Sequence, residues 1–185
     1  MTPTMNSYIF TSKRLGFRNW KDTDVDILSE INNDDDVMEF FPFKPSKQDT
    51  KKFIENMQRM QSEQKFCYFA VDVLETKECI GFIGLCLQTY LKAPKSFVDI
   101  GWRLKKSSWN QGYATEGAKA CLAYGFNTIG LREIYAVAPS INKKSAIIMK
   151  KIGMHYVKTF NHPKLSGYEK LESCVLYYIS KSELQ

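Results

Sequence analysis

The stretch SSWNQGYATEGAKACLAYGF, Ser107 to Phe126, joins a loop to a helix and decides how the chain is read. Ala114, Ala118, Cys121, Leu122, Gly125 and Phe126 recur at the spacing of one buried helical face. Glu116 and Lys119 fall on the other face, where they can pair weakly. Thr115 lies where the pattern begins, so its hydroxyl is expected to cap free backbone N–H groups. Gly112 removes side-chain bulk from the preceding loop, and Ala114 adds almost none. Two readings stand open. One is a tight loop feeding a core helix; the other is a row of bare amides facing an anion, since helix N-termini concentrate unpaired donors and positive dipole.

A chain of 185 residues fits one domain, 1–185, with a sizeable core. No long uninterrupted apolar run is present, so no membrane partner is expected. The opening MTPTMNSYIFTSKR lacks the basic-then-apolar order of a secretion signal. Five cysteines (Cys67, Cys79, Cys86, Cys121, Cys174) are odd in number, widely spaced and set in apolar patterns. They read as buried free thiols in a reducing cytoplasm. Two histidines, without CxxC or HExxH, speak against a transition-metal centre, and no metal cofactor is expected.

The formal charge of +6 is unevenly spread. Residues 22–39, DTDVDILSEINNDDDVME, hold eight acids and no base, whereas lysines outnumber acids from Asn142 onward. A basic body suits a polyanionic ligand, either nucleic acid or a phosphorylated cofactor. The acidic run is expected to be mainly a solvated helix face, with a slight bias toward a cationic substrate.

Periodicity orders the rest. A strand is expected at Arg14–Arg18, helices at Asp24–Asn32 and Ser46–Gln61, and a hairpin from Phe66–Leu74 and Cys79–Gln88. Ser46 with Asp49 has the form of a capping box with a shortened acid. Phe97–Leu104 is a further strand leading into the opening loop and helix. Glu133–Ala138 is a strand, Asn142–Ile152 a helix, and His155–Thr159 and Cys174–Ile179 the closing strands. The class is α/β, a mixed α+β sheet with helices on its faces.

Two phosphate-binding motifs are excluded. Gly112, Gly117 and Lys119 do not make a P-loop, because Ala118 precedes the lysine and Ala120 follows it. No GxGxxG follows a strand. Gly81-Phe-Ile-Gly84 lies inside a strand, where a bulge or close backbone packing explains it.

The strand FVDIGWRL running into WNQGYAT, and EIYAVAPS running into INKKSAIIMKKIGM, together resemble the GCN5-related N-acetyltransferase (GNAT) superfamily. The similarity extends to SKRLGFRNW and ECIGFIGL, and points to the RimJ/RimL-like branch of ribosomal-protein N-terminal acetyltransferases. It implies a mostly antiparallel sheet splayed in the middle, with helices on both faces, and acetyl-CoA as cosubstrate. The family's pyrophosphate loop has Gln or Arg, then Gly three positions later and Gly or Ala after one more. Here it reads Trp109-Asn110-Gln111-Gly112-Tyr113-Ala114, with Trp109 in place of the first polar residue.

On that resemblance Gly112, Ala114 and Thr115 hold the diphosphate, while Trp102, Arg103 and Leu104 offer backbone groups to the pantetheine arm. Asn142 and Ser145 match the late cofactor motif, although Asn142 is also an excellent helix cap. Family members place a thiolate-protonating tyrosine where this chain has Met149; Ser145 is the alternative donor. Asp99 is the first candidate base and His162 a second, with Tyr168 and Glu169 in the same segment as His162. The implied reaction is attack of an amine, on a protein N-terminus or a small molecule, on the acetyl thioester. Residues 20–45 and 160–172 are expected to shape the acceptor pocket. Two rivals remain at this stage: a non-catalytic CoA-binding member of the same fold, and a basic nucleic-acid-binding module. A homodimer is compatible with the sequence.

Overall fold

The computed structural model describes residues 8–90 and 96–184; the reading of the first seven residues as free of a secretion signal lies outside them. The strands are β1 Phe10–Thr11, β2 Leu15–Arg18, β3 Tyr68–Val73, β4 Cys79–Gln88, β5 Phe97–Leu104, β6 Glu133–Pro139, β7 His155–Asn161 and β8 Ser173–Ser180. They form one eight-stranded sheet in the order β1-β2-β3-β4-β5-β6-β8-β7. The helices are α1 Asp24–Asn33, α2 Asp35–Met38, α3 Lys47–Gln64, α4 Tyr113–Ala123, α5 Lys143–Lys151 and α6 Glu169–Glu172.

Strand alternation sends side chains to two faces, and helices cover both. Leu15, Phe17 and Ile83 point to α4, which approaches so closely that a Cβ on Gly117 would lie 2.4 Å from the Ile83 Cδ1. Phe82 and Tyr68 point the other way, to Phe53 of α3, with ring centroids 5.4 and 6.5 Å from that phenyl. Phe17, Phe69, Ile83, Leu122, Phe126 and Ile134 are sealed from water. Each such side chain contributes about 1.5–3 kcal/mol of burial.

The capping box is present: the Asp49 amide donates to Ser46 Oγ at 3.1 Å, and the Ser46 amide donates back to Asp49 Oδ2 at 3.1 Å. Gly81 and Gly84 do serve close backbone packing, since a Cβ on either would lie 2.1 Å from a carbonyl oxygen, of Arg103 and Cys67 respectively. Beyond α4 the helix widens into a π-helical turn, Tyr124–Ile129, that buries Phe126. There Tyr124 stacks on Phe10 and donates to the Lys65 carbonyl at 2.7 Å. All five cysteines are buried free thiols.

Every neighbouring strand pair is antiparallel except β5 and β6. Those two are parallel and meet at one register position, Asp99 opposite Tyr135. Past it, β5 stays paired with β4 and β6 with β8, leaving a wedge between residues 100–104 and 136–139.

Candidate active site

The mouth of the wedge is built from the loop after β5. Trp109 donates its indole N–H to the Leu104 carbonyl at 2.9 Å, and the Gln111 side chain donates to the Ser107 carbonyl at 2.9 Å. These bonds fold the loop back on the strand, which gives the tryptophan at the first motif position an anchoring role. Asn110 (φ 60°) and Gly112 (φ 80°) are left-handed, and the turn they make delivers the chain into α4. Asn tolerates that conformation and Gly adopts it without steric cost.

The helix begins at Tyr113, with Gly112 at the cap position and no side-chain cap. Thr115 therefore lies within the first turn; the expectation that it caps the helix is corrected by the chain starting its helix two residues earlier. The Glu116 amide donates to the Gly112 carbonyl at 3.0 Å. Among the described residues, the amides of Tyr113, Ala114 and Thr115 meet no backbone acceptor. Three bare N–H groups beside a left-handed glycine suit a diphosphate. The loop fits the cofactor.

Glu116 is the second correction. Its carboxylate accepts from Ser12 Oγ, the Arg14 amide and Arg14 Nε, each at 2.7 Å, so it ties α4 to the start of β2 and does not pair with Lys119. Burial would raise its pKa, but those hydrogen bonds hold it below the ordinary value. Arg14 in turn donates Nη2 to the Gln111 carbonyl at 3.0 Å and stacks over Tyr113 at 4.5 Å. Arg14 thus positions the loop. Sequence reading missed it because its partners lie about a hundred residues away.

At the apex of the wedge Asp99 is 8% exposed. Tyr68 donates its hydroxyl to Asp99 Oδ1 at 2.6 Å, and Gln88 donates Nε2 to the same oxygen at 3.3 Å. Oδ2 has no hydrogen bond among the described residues and is not sealed from solvent. Burial pushes the carboxyl up to about 6, while the two donors and the nearby Lys164 charge limit the rise. An acid tuned to that range can accept a proton at neutral pH. Tyr68 and Gln88 were not foreseen; they reach Asp99 only through sheet register.

His162 packs its ring 4.2 Å from Tyr90 and uses Nδ1 to accept the Lys164 amide at 3.1 Å. Burial and the Lys164 charge lower its pKa. A ring nitrogen engaged in this turn makes it the weaker proton acceptor. Tyr168 is exposed, and Glu169 begins α6.

On the far side of the mouth, Asn142 Oδ1 accepts the Ser145 amide at 3.0 Å, so it caps α5. The Ser145 side chain has no hydrogen bond among the described residues. Lys144 lies 4.9 Å over the Trp109 ring, which brings the start of α5 beside the diphosphate loop. Met149 is 2% exposed and packs in the core.

Within β5 the residues divide by direction. The Lys105 amide donates to the Ile80 carbonyl of β4 at 2.9 Å, and alternation turns the Trp102 and Leu104 amides toward the wedge. Arg103 is turned the other way, with its carbonyl against Gly81 of β4. The expectation that Arg103 offers backbone to the cofactor arm is corrected on that ground. Its side chain instead crosses the opposite face, where Nη1 donates to Asn32 Oδ1 at 2.6 Å. It borders a groove of about 510 Å³ that Asn32, Phe43, Thr50 and Phe53 also line.

Asp24 pairs with Arg18 at 2.7 Å, Asp35 with Lys44 at 2.6 Å, Asp26 with Lys47 and Asp36 with Lys106, while Asp34 caps α2.

A splayed sheet with bare amides at its mouth and a buried carboxylate at its apex is an arrangement that suits an acyl-CoA-dependent transferase. The comparisons agree: a model described as "Acetyltransferase (GNAT) domain" matches residues 14–155. A Bacillus subtilis protein named "Uncharacterized N-acetyltransferase YnaD" is 33% identical over 146 residues, covering 78% of this chain and 81% of that protein. A GNAT-family acetyltransferase structure from Bacillus anthracis superposes with a TM-score of 0.77 at 26% identity, covering 94% and 98% of the two chains. RimL, a ribosomal-protein alpha-N acetyltransferase in complex with coenzyme A, has the same fold at 14% identity, with a TM-score of 0.74 and coverage of 94% and 98%. The chain belongs to the GNAT acetyltransferase family and is an acetyl-CoA-dependent N-acetyltransferase.

Proposed function

We propose that the protein acetylates a primary amine, on a protein N-terminus or a small molecule, by direct attack within a ternary complex. The observation that carries this reading is Asp99, a buried carboxylate with one free oxygen at the point where β5 and β6 part. Bound acetyl-CoA supplies the activated acyl group. The amides of Tyr113, Ala114 and Thr115 hold its diphosphate, with Gln111, Gly112 and Asn110 shaping the turn. The Trp102 and Leu104 amides align the arm in the wedge, toward Asp99.

Asp99 takes the proton from the acceptor ammonium, directly or through one water. The Ser145 hydroxyl is free to donate to the departing sulfur. A thiol of ordinary pKa near 8.5 needs little acid assistance, so a methionine at position 149 is no obstacle. Asn142 supports this by fixing the first turn of α5. The RimL likeness in fold favours placement in the RimJ/RimL-like branch, residues 1–185 acting as one catalytic domain, and the buried reduced thiols favour the cytoplasm.

The test is release of free CoA from acetyl-CoA across a panel of amines, by wild type and Asp99→Asn. Amine-dependent release that Asp99→Asn lowers by 10²-fold or more supports the reading. Release unaffected by the substitution removes Asp99 from the chemistry.

A further inference from the structure

Resting on the acetyl-transfer reading, we propose that the acceptor carries an anionic group, a carboxylate or a phosphate, in addition to its amine, and that Arg103 binds it in the groove between α1, α3 and β5. Three observations point there.

First, the Arg103 guanidinium has no carboxylate partner within ion-pair distance among the described residues. Its one side-chain hydrogen bond is from Nη1 to the neutral Asn32 amide, and Nε is buried without a partner. Burial pulls its pKa down to about 10, the signature of a cation lacking a countercharge. Asn32 is itself held by donating Nδ2 to Thr50 Oγ1 at 3.1 Å, so the guanidinium is oriented through a supported chain.

Second, the planar group is clamped. It lies 4.1 Å over the Phe41 ring and 5.4 Å from the Phe82 ring. This fixes its plane while Nη2, which makes no hydrogen bond among the described residues, stays available beside the groove. Oriented guanidinium is the preferred group for carboxylate and phosphate recognition.

Third, the acid that lines the same groove is already engaged. Asp49, the acidic residue lining the same groove, has Oδ2 held by the Ser46 hydroxyl at 2.6 Å and the Ser46 amide at 3.1 Å. Asp24, Asp26, Asp35 and Asp36 of the neighbouring acidic run are each paired with a base. Arg103 and Asp99 share one face of β5, four residues or about 13 Å of strand apart. An extended acceptor can thus anchor its anion at one end of this face and present its amine at the other.

The experiment compares kcat/KM for chain-matched amines: aminoalkyl carboxylates, aminoalkyl phosphates, the corresponding neutral amides and alcohols, and diamines. Wild type should prefer an anionic amine over its neutral match by roughly 10- to 100-fold, with diamines poorest. The carboxylate and phosphate arms report which anion is read. Arg103→Gln should bring the anionic-to-neutral ratio within about 2-fold, while Arg103→Lys retains part of it. Thermal melts and acetyl-CoA titrations identify folded variants; if Arg103→Gln does not fold, the wild-type ratio and Arg103→Lys carry the test.

Neutral amines or diamines turned over as well as the anionic ones overturn the inference, as does the absence of turnover with every anionic amine. An unmoved ratio in folded Arg103→Gln does the same. These outcomes leave acetyl transfer standing if any amine is acetylated. Failure of acetyl-CoA to bind removes the transfer reading itself, and this inference with it.

Discussion

Asp99 and Tyr135 are the one register pair that joins β5 to β6, and the sheet opens immediately beyond them. The same residue that closes the wedge therefore carries the buried carboxyl. That carboxyl is held at about 6 by burial, opposed by hydrogen bonds from Tyr68 and Gln88.

With a base of this pKa, the acceptor kcat/KM should rise with pH through about 6 as Asp99 ionises, apart from the amine's own titration. Asp99→Asn should remove that limb and lower turnover. An unchanged limb in Asp99→Asn would assign it to another group.

Asp99 also sets a stability cost. Its folded-state pKa of about 6 exceeds the ordinary 3.8, so the folded state holds the proton more tightly than the unfolded one. The associated stability is full below about pH 4 and is lost as pH rises toward 6, a change on the order of 3 kcal/mol. Asp99→Asn keeps the acceptor oxygen for Tyr68 and lacks the buried charge. It should melt higher than wild type at pH 7 and lose this dependence on pH; equal melting profiles from pH 4 to 7 would contradict the assignment.

Arg14 links Glu116 to the diphosphate loop through its contact with the Gln111 carbonyl. Arg14→Ala should weaken acetyl-CoA by roughly 3- to 30-fold, from loss of one or two charge-assisted hydrogen bonds. Calorimetry checks this. Unaltered affinity would show that the loop holds its shape without Arg14.

Arg18 stands between Asp24 and Asp72, at 2.7 and 2.8 Å, with all three buried. Burial alone would lower its pKa, but hydrogen bonds and charges from the two aspartates carry it well above the ordinary value. Arg18→Met leaves two buried carboxylates without a countercharge and should cost about 3–5 kcal/mol in chemical denaturation. A loss below about 1 kcal/mol would mean that water reaches the aspartates once the arginine is gone.

Much of the fold was legible because strand and helix periods are local. Cys79–Gln88 and Phe97–Leu104 match the reading end to end, and Asn142 caps its helix as its residue type implies. The π-helical turn at Tyr124–Ile129 was not legible, since the apolar spacing that places Gly125 and Phe126 on the buried face does not mark a wider winding. The diphosphate loop could be read in its own residues, whereas its brace, Arg14 with Glu116, could not. The ion pair with Lys119 that spacing suggested gave way to a stronger tertiary partner. Arg103 shows the limit most clearly. A strand pattern says which face a residue occupies, but its missing countercharge emerges only when α1 and the Phe41 loop are in place.

The most direct measurement is an amide NMR titration of the protein with acetyl-CoA. The N–H resonances of Gly112, Tyr113, Ala114 and Thr115 should move together, saturating with the calorimetric affinity, and more than those of the exposed β7 edge. Cofactor binding that leaves these four amides unmoved, or no binding near millimolar concentration, would contradict the claim that bare main-chain donors at the start of α4 hold the diphosphate.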